Sequence, residues 1–237
     1  MVAVSYNSGR FEQPDNKMKE TQVQKTKRLE EIISRLAPKY PHPITALRFT
    51  NSFELLVATV LAAQATDKRV NIVTPTFFPK YNAPAKLLTL GEEKFRTLVS
   101  SLNLYKTKSK NILALSKILV EKHHGKVPNI REDLEFLPGV GRKTASVVLA
   151  NAFHIPAFPV DTHVFRVTRR LGLTNGKNPL EVEKDITALL PEKNWIDAHH
   201  YFVFHGREIC TAPKPKCSIC PLVDICPYTP KNLIPKN

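Results

Sequence analysis

The sequence predicts an all-α fold. From Lys25 onward apolar residues recur at helical spacing, Pro and Gly punctuate the segments between them, and no stretch alternates apolar and polar residues with the period of two that a strand requires. With 237 residues, 42% of them hydrophobic, the chain can bury a substantial core in one large or two small domains.

Residues 1 to about 24 are polar, without apolar periodicity and with the cluster Pro14-Asp15-Asn16-Lys17, and are expected to form a mobile tail. Asn51 or Ser52 can cap a helix running through Gln64. Its Phe53, Leu55, Leu56, Val57, Val60 and Leu61 make it apolar nearly all round, which marks it as central. Further helices are expected at 67–78, 84–89, 92–102, 107–124, 131–136, 142–153, 162–171, 179–190 and 194–206. The longest apolar run, Leu55 to Ala63, is far short of the roughly 18 residues that span a bilayer, so no membrane segment is expected. The N-terminus lacks a positive region followed by an apolar stretch, and an intracellular protein is expected.

Charge narrows the partner. Lys and Arg number 35 against 21 Asp and Glu, a formal net charge of +14, which suits a surface that meets polyphosphate.

The segment 131–150 carries a specific string, Leu137-Pro138-Gly139-Val140-Gly141-Arg142-Lys143-Thr144-Ala145. Asn129 and Glu132 resemble a capping box opening a short helix that must end before Pro138. Gly139 and Gly141 would let the backbone take positive φ and present the bare amides of Gly139, Val140, Gly141 and Arg142 where a second helix begins. A helix, a Gly-x-Gly turn and a second helix form a helix-hairpin-helix, whose turn can hold one DNA phosphate without reading sequence.

Within that second helix Ala145, Val148, Leu149 and Ala152 share one stripe, and Lys143 lies on the other side with Val147 and Ala150. If that face lines a cleft, desolvation, the helix N-terminus and Arg142 would make the Lys143 amine a nucleophile able to attack a sugar carbon. Pro159-Val160-Asp161-Thr162-His163 follows, with Asp161 heading a helix that ends at Gly172. Asp161 suits an N-cap, and a carboxylate fixed beside a nucleophilic amine can also move protons and offset positive charge on a sugar.

All four cysteines, Cys210, Cys217, Cys220 and Cys226, fall within seventeen residues in the pattern Cys-x6-Cys-x2-Cys-x5-Cys, with Lys214 and Lys216 between the first two. That is poor spacing for disulfides meant to staple the whole chain and fits a reducing compartment. Four thiolates so close can enclose one tetrahedral metal ion or one cubane cluster, and the spacing leaves both open.

These strings together, from about Lys25 to Tyr228, resemble the endonuclease III family of DNA glycosylases, in the helix-hairpin-helix superfamily whose Gly/Pro-rich loop carries an aspartate. The resemblance implies that Lys143 displaces a damaged base, an oxidised pyrimidine, and forms a Schiff base with C1′. It implies that Asp161 is the essential carboxylate, that β-elimination then cleaves the strand, and that the cysteines hold a 4Fe–4S cluster fixing Lys214 and Lys216 against phosphates. The sister branch of adenine-specific mismatch glycosylases lacks the lysine. Leu61 to Asp67 matches the family segment whose glutamine, here Gln64, enters the gap left by an extruded base, and Leu104 matches a second, apolar wedge. Asn103 stands where the family commonly has glycine, and Lys106, Lys108 and Lys110 suit a phosphate track. The implied architecture is a six-helix barrel at 45–155 and a cluster domain pairing 25–44 with 156–237, a monomer with double-stranded DNA bearing damaged bases or abasic sites across the cleft. A monofunctional glycosylase of the same superfamily and a non-catalytic iron–sulfur or zinc DNA-binding protein are the competing readings.

Overall fold

A computed structural model describes residues 20–233, and within them the chain is helical with no strand. The elements in order are α1 (Gln22–Leu36), α2 (Ser52–Ala62), α3 (Asp67–Val73), α4 (Pro84–Leu88), α5 (Glu92–Leu98), α6 (Tyr105–Lys122), α7 (Arg131–Glu135), α8 (Arg142–Ala152), α9 (Thr162–Arg170), α10 (Pro179–Thr187) and α11 (Trp195–Glu208), with short 3-10 turns between some of them.

Local rules explain most boundaries. α2 starts where the Asn51 side chain accepts the Glu54 amide at 2.9 Å, and α9 starts where Asp161 accepts the amides of His163 and Val164, both at 2.8 Å. α3 is shorter than expected because Pro75 interrupts the helix, and the chain continues as a 3-10 turn over Thr74–Thr76. α1 begins inside the stretch read as a tail: Thr21 and Gln24 form a reciprocal capping box. Residues 1–19, the rest of that stretch, lie outside the described residues. The capping box expected at Asn129 is absent. Ile130 occupies the cap position of α7, and no side chain caps that helix.

Two hydrophobic clusters form. In the first, α2 runs through the middle, burying Phe53 and Leu55 to Leu61 against Val70, Phe77, Leu87, Phe95, Ile112, Leu134 and Val148. Each fully buried leucine or phenylalanine there contributes roughly 1.5–3 kcal/mol. The second packs Leu29, Ile32 and Leu36 of α1 onto Phe158, Val167, Ile186, Phe202 and Leu222 from the C-terminal half. Arg35 of α1 pairs with Asp224 at 2.6 Å, and Arg28 donates to the Leu171 carbonyl at 2.6 Å.

Two ion pairs join the clusters. Arg142 at the start of α8 forks onto both carboxylate oxygens of Glu183 in α10, at 2.8 and 2.9 Å. Arg207 of α11 meets Asp67 of α3 at 2.9 Å. Helices α9 and α11 cross closely because position 206 is glycine: a Cβ there would sit 3.0 Å from the His163 Cβ and 3.1 Å from Val167.

Candidate active site and cysteine loop

The hairpin turn uses its two glycines differently from the sequence expectation. Gly139 takes a positive φ of 79°, and a Cβ on it would lie 2.9 Å from the Asn111 amide nitrogen. Gly141 has φ −100° and ψ 179°, ordinary extended backbone. What its missing side chain provides is room, since nothing lies within 4 Å of where a Cβ would be. Val140 is buried and its amide closes the turn onto the Leu137 carbonyl at 3.0 Å. Arg142 is engaged with Glu183 rather than standing free at the surface.

Lys143 lies in the first turn of α8 and is exposed, while Val147 and Ala150 on its side of the helix are buried. The desolvation expected for its amine is therefore not in place in the free protein. Its acidic neighbour is Asp161, the cap of α9, so the two groups meet from different helices. Burial opposes ionisation of Asp161. The charges of His199, His163 and Lys143 and the Val164 amide outweigh burial and hold the carboxyl below the ordinary carboxylate range.

Two histidines complete this wall, and the sequence reading passed over both. His199 is buried in α11 and its Nδ1 lies 2.7 Å from the Pro159 carbonyl oxygen. A carbonyl only accepts, so Nδ1 carries the hydrogen. Burial pushes His199 down to about 4, so at neutral pH the ring is uncharged, and the amides and Lys143 are left to stabilise the Asp161 charge. His200 packs edge-on against it, with ring centroids 4.8 Å apart, and is pushed down to about 3 by burial. The adjacent pair in Ala198-His199-His200-Tyr201 was the available signal.

Gln64 and Leu104 come from separate loops. Both are exposed and both are left-handed, with φ of 55° and 57°. For residues with a Cβ that conformation costs roughly 1–2 kcal/mol, so each loop must be held. Leu104 is 50% exposed and not a core residue. Of the three lysines that follow, Lys106 and Lys110 are exposed, but Lys108 is buried and its amine donates to the Leu61 carbonyl at 2.8 Å. Lys108 therefore does not belong to a phosphate track: its place on α6 points into the protein.

The four cysteines are free thiols lining one cavity of about 30 Å³ with Arg170 and His205. Arg170 is buried and holds the loop from beneath, donating to the Thr211 and Ala212 carbonyls at 2.8 Å each and lying 3.4 Å from the Cys210 sulfur. The His205 Nε2 lies 3.7 Å from the Cys220 sulfur. Burial, together with the other cysteines, pushes the Cys220 thiol up to about 11. Arg170 Nε and His205 Nδ1 are buried polar atoms without a hydrogen-bond partner. Four converging sulfurs, two of them the Cys220 and Cys226 thiols that burial keeps from ionising, beside buried polar atoms without partners, suit a cationic group that would hold all four as thiolates. Among the described residues no three His, Cys, Asp or Glu side chains are arranged to hold a single metal ion. Lys214 and Lys216 are exposed on the same loop.

The description "HhH-GPD superfamily base excision DNA repair protein" matches residues 57–192, which include the hairpin, Lys143 and Asp161. The endonuclease III of Escherichia coli K12 is 46% identical over 209 residues, covering 88% of this chain and 99% of that protein. The chain belongs to the endonuclease III family. Endonuclease III of Bacillus subtilis is 44% identical over 201 residues, 84% of this chain and 92% of its own length. A solved non-covalent endonuclease III–DNA complex superposes with a TM-score of 0.82 at 41% identity, covering 85% of this chain and 94% of that one. A trapped endonuclease III–DNA covalent intermediate gives 0.81 at the same identity and covers 85% of this chain and 95% of that one. No helix among the described residues is long and apolar enough to cross a membrane.

Proposed function

We propose that Lys143 and Asp161 are the catalytic pair of a base-excision repair enzyme, a DNA glycosylase with abasic-site lyase activity acting on oxidised pyrimidines. The observation that carries this is an exposed amine at the start of α8 whose charge acts on the half-buried carboxylate that caps α9, on a hairpin that belongs to a base-excision repair family. In the reaction, Lys143 first gives up a proton, and its Nζ lone pair then bonds to C1′ as the C1′–N bond to the base breaks and that proton leaves with the base. Asp161 offsets positive charge on the sugar and passes protons as the ring opens to the imine. Loss of a C2′ proton then expels the 3′ phosphate, and water returns the amine. Duplex DNA supplies the low-dielectric wall that the free protein lacks around Lys143. Both halves of the pair come from one chain, which supports a monomer with DNA lying across the junction of the barrel, 45–155, and the second domain, 25–44 with 156–237.

Gln64 and Leu104 would fill the stack when the damaged nucleotide turns out. The amides of Gly139, Gly141 and Arg142 would meet a phosphate, while the Val140 amide stays on the Leu137 carbonyl and shapes the turn; Arg142 would exchange Glu183 for the phosphate, and Lys214 and Lys216 would track the backbone. Gly141→Ala is then expected to weaken duplex binding with melting unchanged. Gly139→Ala costs about 1–2 kcal/mol through its left-handed backbone, besides displacing Asn111, and lowers the Tm. Thermal unfolding and duplex titration of the two variants check this.

Cys210, Cys217, Cys220 and Cys226 would hold a 4Fe–4S cluster, which when bound supplies a cross-link of the loop and a one-electron redox centre. Iron and inorganic sulfide in equal amounts are expected, and zinc in their place overturns that assignment. The grouping of all four cysteines at this one site supports a reducing intracellular setting.

The test of the whole reading is borohydride reduction with duplex DNA bearing an oxidised pyrimidine or abasic site. A covalent adduct mapping to Lys143 is expected, and tight binding with no adduct and no strand cleavage refutes it.

A further inference from the structure

We propose that Lys108 and Asn103 are positioning residues that lock the Gln64 and Leu104 loops into one rigid prong, so that the two side chains enter the duplex together. This rests on the reading of those two residues as the groups that occupy the disrupted base stack.

The bracing is built from three side-chain hydrogen bonds between segments far apart in sequence. Helix α2 ends at Ala62, and Leu61 contributes one of the terminal carbonyls with no partner inside the helix. The Lys108 amine, only 4% exposed, reaches from α6 to that carbonyl at 2.8 Å. It places a donor at the negative end of the helix, the favourable end for a cation. Lys108 lies in the first turn of α6, the helix that Leu104 caps, and its backbone N–H makes the ordinary helical bond to the Leu104 carbonyl at 3.0 Å. The side chain that reaches Leu61 is thus carried by the helix that starts at the second loop. The Asn103 side-chain amide donates to the Gln64 carbonyl at 3.2 Å, joining the two left-handed turns directly. Arg69, just beyond the first loop, donates to the Ser101 carbonyl at 2.8 Å.

The physical need for such a brace follows from the backbone. Gln64 and Leu104 both hold a conformation that side-chain-bearing residues leave readily, and both are exposed, so no packing around their own side chains restrains them. A prong that relaxed on pushing against stacked bases would fold back rather than hold the gap open. Burial disfavours the charged form of Lys108; its amine retains hydrogens to donate in either state. It has no route to solvent or substrate, which separates it from Lys143 despite both lying near helix starts.

The experiment compares wild type, Asn103→Ala and Lys108→Met on two substrates. The first is a duplex with 2-aminopurine opposite an oxidised pyrimidine, whose fluorescence rises when its partner leaves the stack. The second is a single strand carrying an abasic site, in which there is no stack to open. Both variants are expected to show a reduced fluorescence rise at saturating protein and about tenfold slower base excision on the duplex. Borohydride trapping on the single strand is expected to stay within about twofold of wild type. A full fluorescence rise in both variants overturns the proposal, and so does an equal loss on the two substrates, which would mean a purely structural role. Should Lys108→Met fail to fold, Asn103→Ala decides alone, since Asn103 is exposed. A wild type that neither brightens the duplex nor traps at Lys143 refutes the parent reading instead.

Discussion

Asp161→Asn is expected to leave the fold intact and to slow strand cleavage by roughly 10²–10⁴-fold, the usual worth of a positioned acid–base group. The residue does two jobs that this substitution separates. As the cap of α9 its oxygen accepts the His163 and Val164 amides, and asparagine caps a helix about as well. As a carboxylate it carries a charge that Lys143 stabilises and that the proposed reaction uses, and asparagine has no charge to offer. Asp161→Ala removes both functions and is expected to lose about 1 kcal/mol of stability as well. The pH dependence carries the same signature. Because the folded carboxyl sits below its ordinary value, the stability it contributes is fully present above the unfolded carboxylate pKa of about 4. It is lost as pH falls through the lowered folded value. Acid titrations of unfolding should show that loss in wild type and lack it in Asp161→Asn. Equal strand cleavage by wild type and Asp161→Asn would sink the assignment.

Arg170→Met is expected to loosen the cysteine loop, costing about 3 kcal/mol, since it deletes two charge-assisted hydrogen bonds. Methionine preserves much of the buried bulk, so the missing element is the fork onto the Thr211 and Ala212 carbonyls and the positive charge beside the Cys210 sulfur. The stacking of the guanidinium over the Tyr228 ring, 4.6 Å from its centroid, goes with it. Iron should leave the purified variant at least roughly tenfold faster under chelator, in line with losses on removing groups that orient metal ligands. Chelator resistance equal to wild type would show that the loop holds itself.

The helices were legible because their ends obey rules that act over three or four residues. Asn51 and Asp161 cap where their side chains reach the next turn, and the hairpin follows from Pro138 and Gly139. The cap of α7 differs by a single position: it falls at Ile130, one residue beyond Asn129, and the helix starts at Arg131. What could not be read was choice of partner across the fold. Lys106, Lys108 and Lys110 look alike in a string, yet α6 turns Lys108 inward onto a carbonyl 47 residues earlier. Arg142 looks like a phosphate ligand until Glu183, 41 residues on, claims its guanidinium. His199 shows in the string only as half of an adjacent histidine pair: its role comes from α11 passing beside the Pro159 carbonyl. Gly141 departs from its expectation as well: its backbone is extended rather than at positive φ, and a Cβ there would meet nothing within 4 Å.

The pairing of α1 with the C-terminal half bears on how the chain is made. The first cluster draws on Leu47 to Ala157, one unbroken stretch, and can assemble while the ribosome is still working. Leu29, Ile32 and Leu36 are synthesised earlier, yet their partners begin at Phe158 and extend to Leu222. The apolar face of α1 must therefore wait, uncovered, through the translation of an entire domain. That makes the first of the described helices to emerge the last to find its place, and its apolar face a natural client for chaperones during synthesis.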